Sequence, residues 1–153
     1  MSCRANQHGF TLIELVIVIV ILGLLAAYSI PKYQAMSWDA KESATKSALG
    51  ELRTGISSWR SENIVRTGSA SWPALDSMNA IGAIMLQSIP PNPYQSSAKA
   101  PDSIVLGVTK GVIAGPRGGW AYKPSTGEIW PNTSSFKPGS GCGGTVAVKE
   151  YSW

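Results

Sequence analysis

Apolar positions along this chain change their spacing twice, and each change marks a different kind of element. From Leu15 to Ala27 no side chain is polar, and the wider stretch from Phe10 to Ile30 is broken only by Thr11, Glu14, Tyr28 and Ser29. Those 21 residues are long enough, as a helix, to cross the hydrocarbon core of a bilayer. A secretory signal would carry a shorter apolar region followed by a small-residue cleavage site. Here the helical pattern runs on past Ile30, so the segment is expected to be retained.

Beyond Pro31 the apolar residues thin to steps of three and four: Tyr33, Met36, Ala40, Ala44, Ala48, Leu52, Ile56 and Trp59. Lys41, Glu42, Lys46, Glu51, Arg53 and Arg60 fill the other faces, which predicts an amphipathic helix whose stripe from Met36 to Trp59 packs against a sheet. A continuous helix from Phe10 to about Asn63 would be roughly 80 Å long. Pro31, Gly50 and Gly55 are the positions where it could bend, and Pro31 gives up one backbone bond.

The remainder changes to turn signals between short runs. Val65 to Trp72 reads as a connector. Pro73 to Gln87 carries Leu75, Met78, Ile81 and Met85 at helical spacing and predicts a short helix opened by Pro73 and stopped by Pro90-Pro91-Asn92-Pro93. Strands are predicted at Ile104 to Thr109, Trp120 to Tyr122 and Glu128 to Trp130, with Pro124-Ser125-Thr126-Gly127 as the turn between the last two, and a further strand at Thr145 to Val148. The expected fold class is α+β: a long amino-terminal helix packed against a small antiparallel sheet of three to four strands.

Composition agrees with an apolar appendage on one domain. The 153 residues are 44% hydrophobic and only 14% charged, despite 16 Gly and 10 Pro, and one domain of ordinary size accounts for the length. Glu14 is the anomaly, because a carboxylate inside a membrane span costs a few kcal/mol and normally persists with a partner. Lying near the helix end it could also reach the lipid headgroups.

Gly9-Phe10-Thr11-Leu12-Ile13-Glu14-Leu15 and the apolar run behind it resemble the prepilin cleavage and methylation motif of type IV pilins and type II secretion pseudopilins. Pro31 falls where those proteins often carry a helix-kinking proline. The resemblance covers about the first 35 residues, with Arg4 as the strong cation of the leader and Gln7-His8 before the glycine. More loosely, the Trp/Tyr strand, the Pro-x-Thr-Gly-Glu turn and the second aromatic strand resemble the heads of short pilins and of the major pseudopilin.

The resemblance implies a leader at 1–9, a transmembrane and filament-core helix at 10–31, and a pilin-like head at 32–153. It implies that a prepilin peptidase cuts between Gly9 and Phe10 and methylates the new Phe10 amine. Glu14 would then pair with the Phe10 amine of a neighbouring subunit, and Pro31 would serve the same assembly. The expected partners are further copies in a helical filament, the prepilin peptidase, an inner-membrane assembly platform and its ATPase. The expected location is the inner membrane as a single-pass protein, then a surface pilus, or the periplasm for a pseudopilus. The function so implied is a structural subunit of a type IV pilus used in adhesion, motility or uptake. The alternative is the major pseudopilin of a type II secretion system, and a DNA-binding minor pilin ranks below both.

The remaining chemistry is sparse. The single His, His8, lies in the leader, and no Cys/His or paired-carboxylate constellation points to catalysis, so no enzyme activity is expected. After Met78 only Asp102, Glu128 and Glu150 are carboxylates, few for a calcium ion that takes six to eight oxygens; no metal and no cofactor is expected. Loss of the leader would remove Cys3 and leave Cys142 in a glycine-rich stretch, as an unpaired thiol or an intermolecular bridge. Net charge is +4, but the six Trp are scattered and no basic cluster stands out, so nucleic acid is not expected as a partner.

Overall fold

A computed structural model describes residues 9–133 and the strand residues 136–137 and 146–147. The predicted leader up to residue 8, with Cys3 and His8, lies outside the described residues, as do Cys142 and Glu150. The chain divides into two compact units, one up to Asp39 and one from Ala40 onward.

Helix α1 runs from Leu12 to Thr67, 56 residues, and contains Pro31. In the first unit every large apolar side chain from Phe10 to Ile30 is exposed, the least so Val16 at 41%. Among the described residues nothing in the chain covers them, so a lipid or protein surface outside the chain must do so if they are to leave water. This helix is long and apolar enough to cross a membrane.

In the second unit the helix turns one stripe inward: Thr45, Ala48, Leu49, Leu52, Ile56 and Asn63 are buried. The predicted stripe is therefore core only in part. Ala48, Leu52 and Ile56 hold their expected places, but Tyr33 and Met36 are 75% and 63% exposed, and Ala40 and Ala44 are exposed as well. Alanines at helical spacing carry too little apolar surface to demand burial, and the sheet begins to cover the helix only at Thr45. Thr45 stays satisfied there by donating its hydroxyl to the Lys41 carbonyl at 2.8 Å.

The sheet has three strands in the order β1 (Ile104–Leu106), β2 (Trp120–Lys123), β3 (Glu128–Pro131). β2 and β3 are antiparallel, with Ala121 opposite Trp130 and Tyr122 opposite Ile129. β1 runs parallel to β2 rather than antiparallel, pairing Ile104 with Trp120 and Leu106 with Tyr122. A parallel pair needs a crossover of a dozen or so residues, and residues 107–119 supply it as an irregular loop. A separate antiparallel pair, β4 (Phe136–Lys137) and β5 (Val146–Ala147), lies where a further strand was expected. The hairpin turn at 124–127 is as predicted, with Gly127 at φ 73° donating its N–H to the Lys123 carbonyl at 2.9 Å.

The expected helix at 73–87 is shorter, α2 (Leu75–Asn79). The helix ends where Ala80 becomes extended, at φ −83° and ψ 122°; Gly82 at φ 85° then turns the chain, and Ile81 is 74% exposed. Gly55 on α1 makes room for the segment beyond this turn, since a Cβ there would lie 3.0 Å from Ile84 Cγ2 and 3.2 Å from Met85 Sδ.

Side chains alternate across the pleat, and each face of the sheet has its own cover. Trp120, Tyr122 and Ile129 join Leu49, Leu52, Ile56, Met78 and Ile104 in one cluster against the helix. Trp130 and Ala121 point the other way, beneath Gly107 of the crossover loop. Each buried aromatic with a polar atom uses it to tie down a loop: Trp120 Nε1 donates to the Pro90 carbonyl at 2.8 Å, Tyr122 Oη to that of Pro73 at 2.9 Å, and Trp130 Nε1 to that of Val112 at 3.1 Å. The outer edge of β1 is closed by Asn79, whose amide bonds both the N–H and the carbonyl of Ile104, at 2.9 and 3.0 Å.

Candidate functional site

Gly9 and Phe10 precede α1 as non-helical backbone. Phe10 is 87% exposed and the space around Gly9 is open. The Gly9–Phe10 peptide lies ahead of the helix, which does not start until Leu12.

What starts the helix there is a reciprocal cap between Thr11 and Glu14. The Thr11 backbone N–H and hydroxyl both donate to Glu14 Oε2 at 2.8 Å, while the Glu14 N–H donates to the Thr11 hydroxyl at 3.3 Å. This is a capping box, which satisfies backbone donors that a helix start leaves open. The pattern Thr-x-x-Glu ahead of an apolar run carries this signal in the sequence, although Thr11 was not among the expected site residues. Glu14 thus has two hydrogen bonds within its own chain, yet no cation among the described residues, and its carboxylate remains a charge without a counter-ion. Pro31 lies within α1, 17 positions beyond Glu14 and so far from it along the axis: Glu14 and Pro31 share one helix, with Phe10 just ahead of it, and they do not form one pocket.

In the second unit the described residues hold no group of three His, Cys, Asp or Glu side chains close enough to bind a metal. Asn132-Thr133-Ser134 fits a glycosylation sequon formally, but the Asn132 side chain is held inside the fold. Asn132 is 2% exposed, donates from Nδ2 to the carbonyls of Arg117 and Gly118 at 3.0 Å each, and accepts the Ala114 N–H.

Residues 4–30 match the family described as the prokaryotic N-terminal methylation motif. The chain is 48% identical over 53 residues to a type IV major fimbrial protein FimA of Dichelobacter nodosus, covering 35% of this chain and 34% of that one. It is 46% identical over 57 residues to the type IV major pilin protein PilA of Myxococcus xanthus, covering 37% and 26%. It is 35% identical over 60 residues to the type II secretion system core protein G of Pseudomonas aeruginosa, covering 39% and 42%. The matches thus span less than half the length of these relatives. No solved structure matches the chain.

A long helix fit to cross a membrane, opened at the methylation motif and followed by a small α+β unit, is an α+β, pilin-like arrangement. The amino-terminal third of this chain is similar to FimA and PilA on one side and to core protein G on the other.

Proposed function

We propose that the chain is the precursor of a structural subunit of a type IV pilus. It is cut between Gly9 and Phe10 by a prepilin peptidase, methylated on the Phe10 amine, and assembled through α1 into a helical filament. The observation that carries this reading is the exposed apolar segment from Phe10 to Ile30 with one carboxylate at its head. Such a segment is stable in a bilayer, and equally in a bundle of identical segments, and the lone charge distinguishes the two. In lipid, Glu14 has only Thr11. In a bundle it gains the positive Phe10 amine of a neighbour, and a matched pair in a water-poor setting favours leaving the membrane in one axial register.

On this reading residues 1–9 are leader, 10–31 filament core and 32–153 head, and Pro31 helps α1 adapt on assembly. The chain is a substrate of the peptidase rather than a catalyst. Platform and ATPase are the further partners, and the inner membrane followed by the cell surface are its locations. Similarity to core protein G supports a second use, as the major pseudopilin of a secretion system.

Electron microscopy of fibres sheared from cells tests the assembly role. Glu14→Ala is expected to reduce fibres at least tenfold with the precursor still in the membrane. Normal fibre yield from Glu14→Ala would contradict the role given to this carboxylate. Surface fibres containing the native chain would decide for the pilus over the pseudopilus.

A further inference from the structure

In the half of α1 that belongs to the head, two carboxylates and two guanidinium groups face different flanks. Glu51 and Glu62 are 11 positions apart, about three turns, and so share one side of the helix. Arg53 lies about 200° around the axis from Glu51, and Arg60, two turns on, shares the Arg53 side. Buried Leu52 and Ile56 separate the two sides. Among the described residues Glu51, Glu62, Arg53 and Arg60 have no opposite charge paired to them.

Each flank borders a cleft. On the basic side a space of about 400 Å³ is lined by Arg53, Ser57, Lys110 and Glu128, among others. Glu128 is already engaged, lying 3.6 Å from Lys110 and accepting the Thr126 hydroxyl at 2.9 Å, and it leaves Arg53 unmatched. Trp72 closes the back of this cleft and is itself packed between Arg60, 4.0 Å from its ring centre, and Gly127, so its faces are not open to a flat ligand. On the acidic side a cleft of about 510 Å³ is bordered by Glu51, Glu62, Trp59, Ile84 and Leu86. Arg66 lies one turn beyond Glu62 without pairing to it among the described residues. Leu86 is 92% exposed there.

We propose that the Arg53 cleft receives a carboxylate from the Glu51–Glu62 flank of a second copy of this chain. Each head then offers its basic flank to one neighbour and its acidic flank to the next. The two surfaces are complementary in charge, and exposed Leu86 rims the acidic one. They lie on opposite sides of one helix, which makes the contact heterologous and lets it propagate instead of closing on itself as a dimer. A small-anion ligand would need the Arg53 side alone; a second copy also accounts for the unmatched acids and for exposed Leu86. The inference rests on the filament reading and specifies which head surfaces meet.

The test uses the full chain in its own cells, with sheared fibre yield as readout. Arg53→Glu and the pair Glu51→Arg/Glu62→Arg are each expected to lower yield at least fivefold, and all three substitutions together to restore more than half of it. Asp76→Lys, an exposed charge on neither flank, is expected to leave yield unchanged. Because Arg53→Glu could disturb the fold, Arg53→Cys is combined with Glu51→Cys or Glu62→Cys in a Cys3→Ser/Cys142→Ser background, where ladders of cross-linked subunits are expected under oxidation. Native fibres with normal yield from the charge reversals, or with no ladder from either cysteine pair, overturn the contact. A native chain that enters no fibre overturns instead the filament reading beneath it.

Discussion

Single side chains in the head carry polar tasks that their neighbours cannot take over. Asn132 makes three hydrogen bonds to the crossover loop from a nearly inaccessible position. Asn132→Ala is expected to destabilise the head by about 2–3 kcal/mol, read by urea denaturation of the detergent-solubilised chain, because the freed backbone groups are half-enclosed. Tyr122 is fully buried and its burial pushes its pKa up from 10.0 to about 12. The unfolded chain releases that proton at pH 10, so the stability that Tyr122 contributes is complete below pH 10 and is lost as pH rises toward 12. In Tyr122→Phe this component of the alkaline loss is expected to disappear, at a cost of about 1 kcal/mol at neutral pH from the orphaned Pro73 carbonyl. Gly119 is a steric case: a Cβ there would collide with the Pro101 carbonyl oxygen, a tightness that no local pattern around Gly118-Gly119 discloses.

Helices and strands were legible in the sequence to different depths. The long helix was readable because two periodicities abut, a solid apolar run and then a stripe. Where the stripe becomes core was not, since Ala40 and Ala44 have the right spacing but face solvent. Leu52→Ala is therefore expected to cost about 2–5 kcal/mol, whereas Met36→Ala changes head stability by less than about 0.5 kcal/mol, both measured by the same denaturation. The hairpin was readable from its Pro-Ser-Thr-Gly turn. The direction of β1 was not, because Ile104 to Leu106 pairs through a partner 16 residues away and a strand's own residues carry no sign of its orientation. At the amino terminus, Gly9, Phe10 and Glu14 stood out by type and spacing. Thr11 was equally present in the pattern, but only the hydrogen bonds reveal that it occupies Glu14 within the free subunit.

On the scale of the whole molecule, the two units leave different debts to neighbours. The first has no buried apolar surface of its own from Phe10 to Ile30, and its carboxylate has no counter-ion among the described residues. The second has a satisfied core with unmatched charges on opposite flanks of its helix. In the filament proposed above, further copies of the same chain supply both deficits: an amine and apolar helix surface for the first, and the opposite flank for the second.

The central claim, that the chain is processed at Gly9 and polymerised from Phe10, is tested most directly by mass spectrometry of the chain recovered from purified fibres. The account predicts a subunit whose first residue is Phe10 bearing one N-methyl group, and no fibre subunit retaining residues 1–9. Fibres built from the uncut chain, or a chain that remains in the membrane fraction with its leader and enters no fibre, would contradict it.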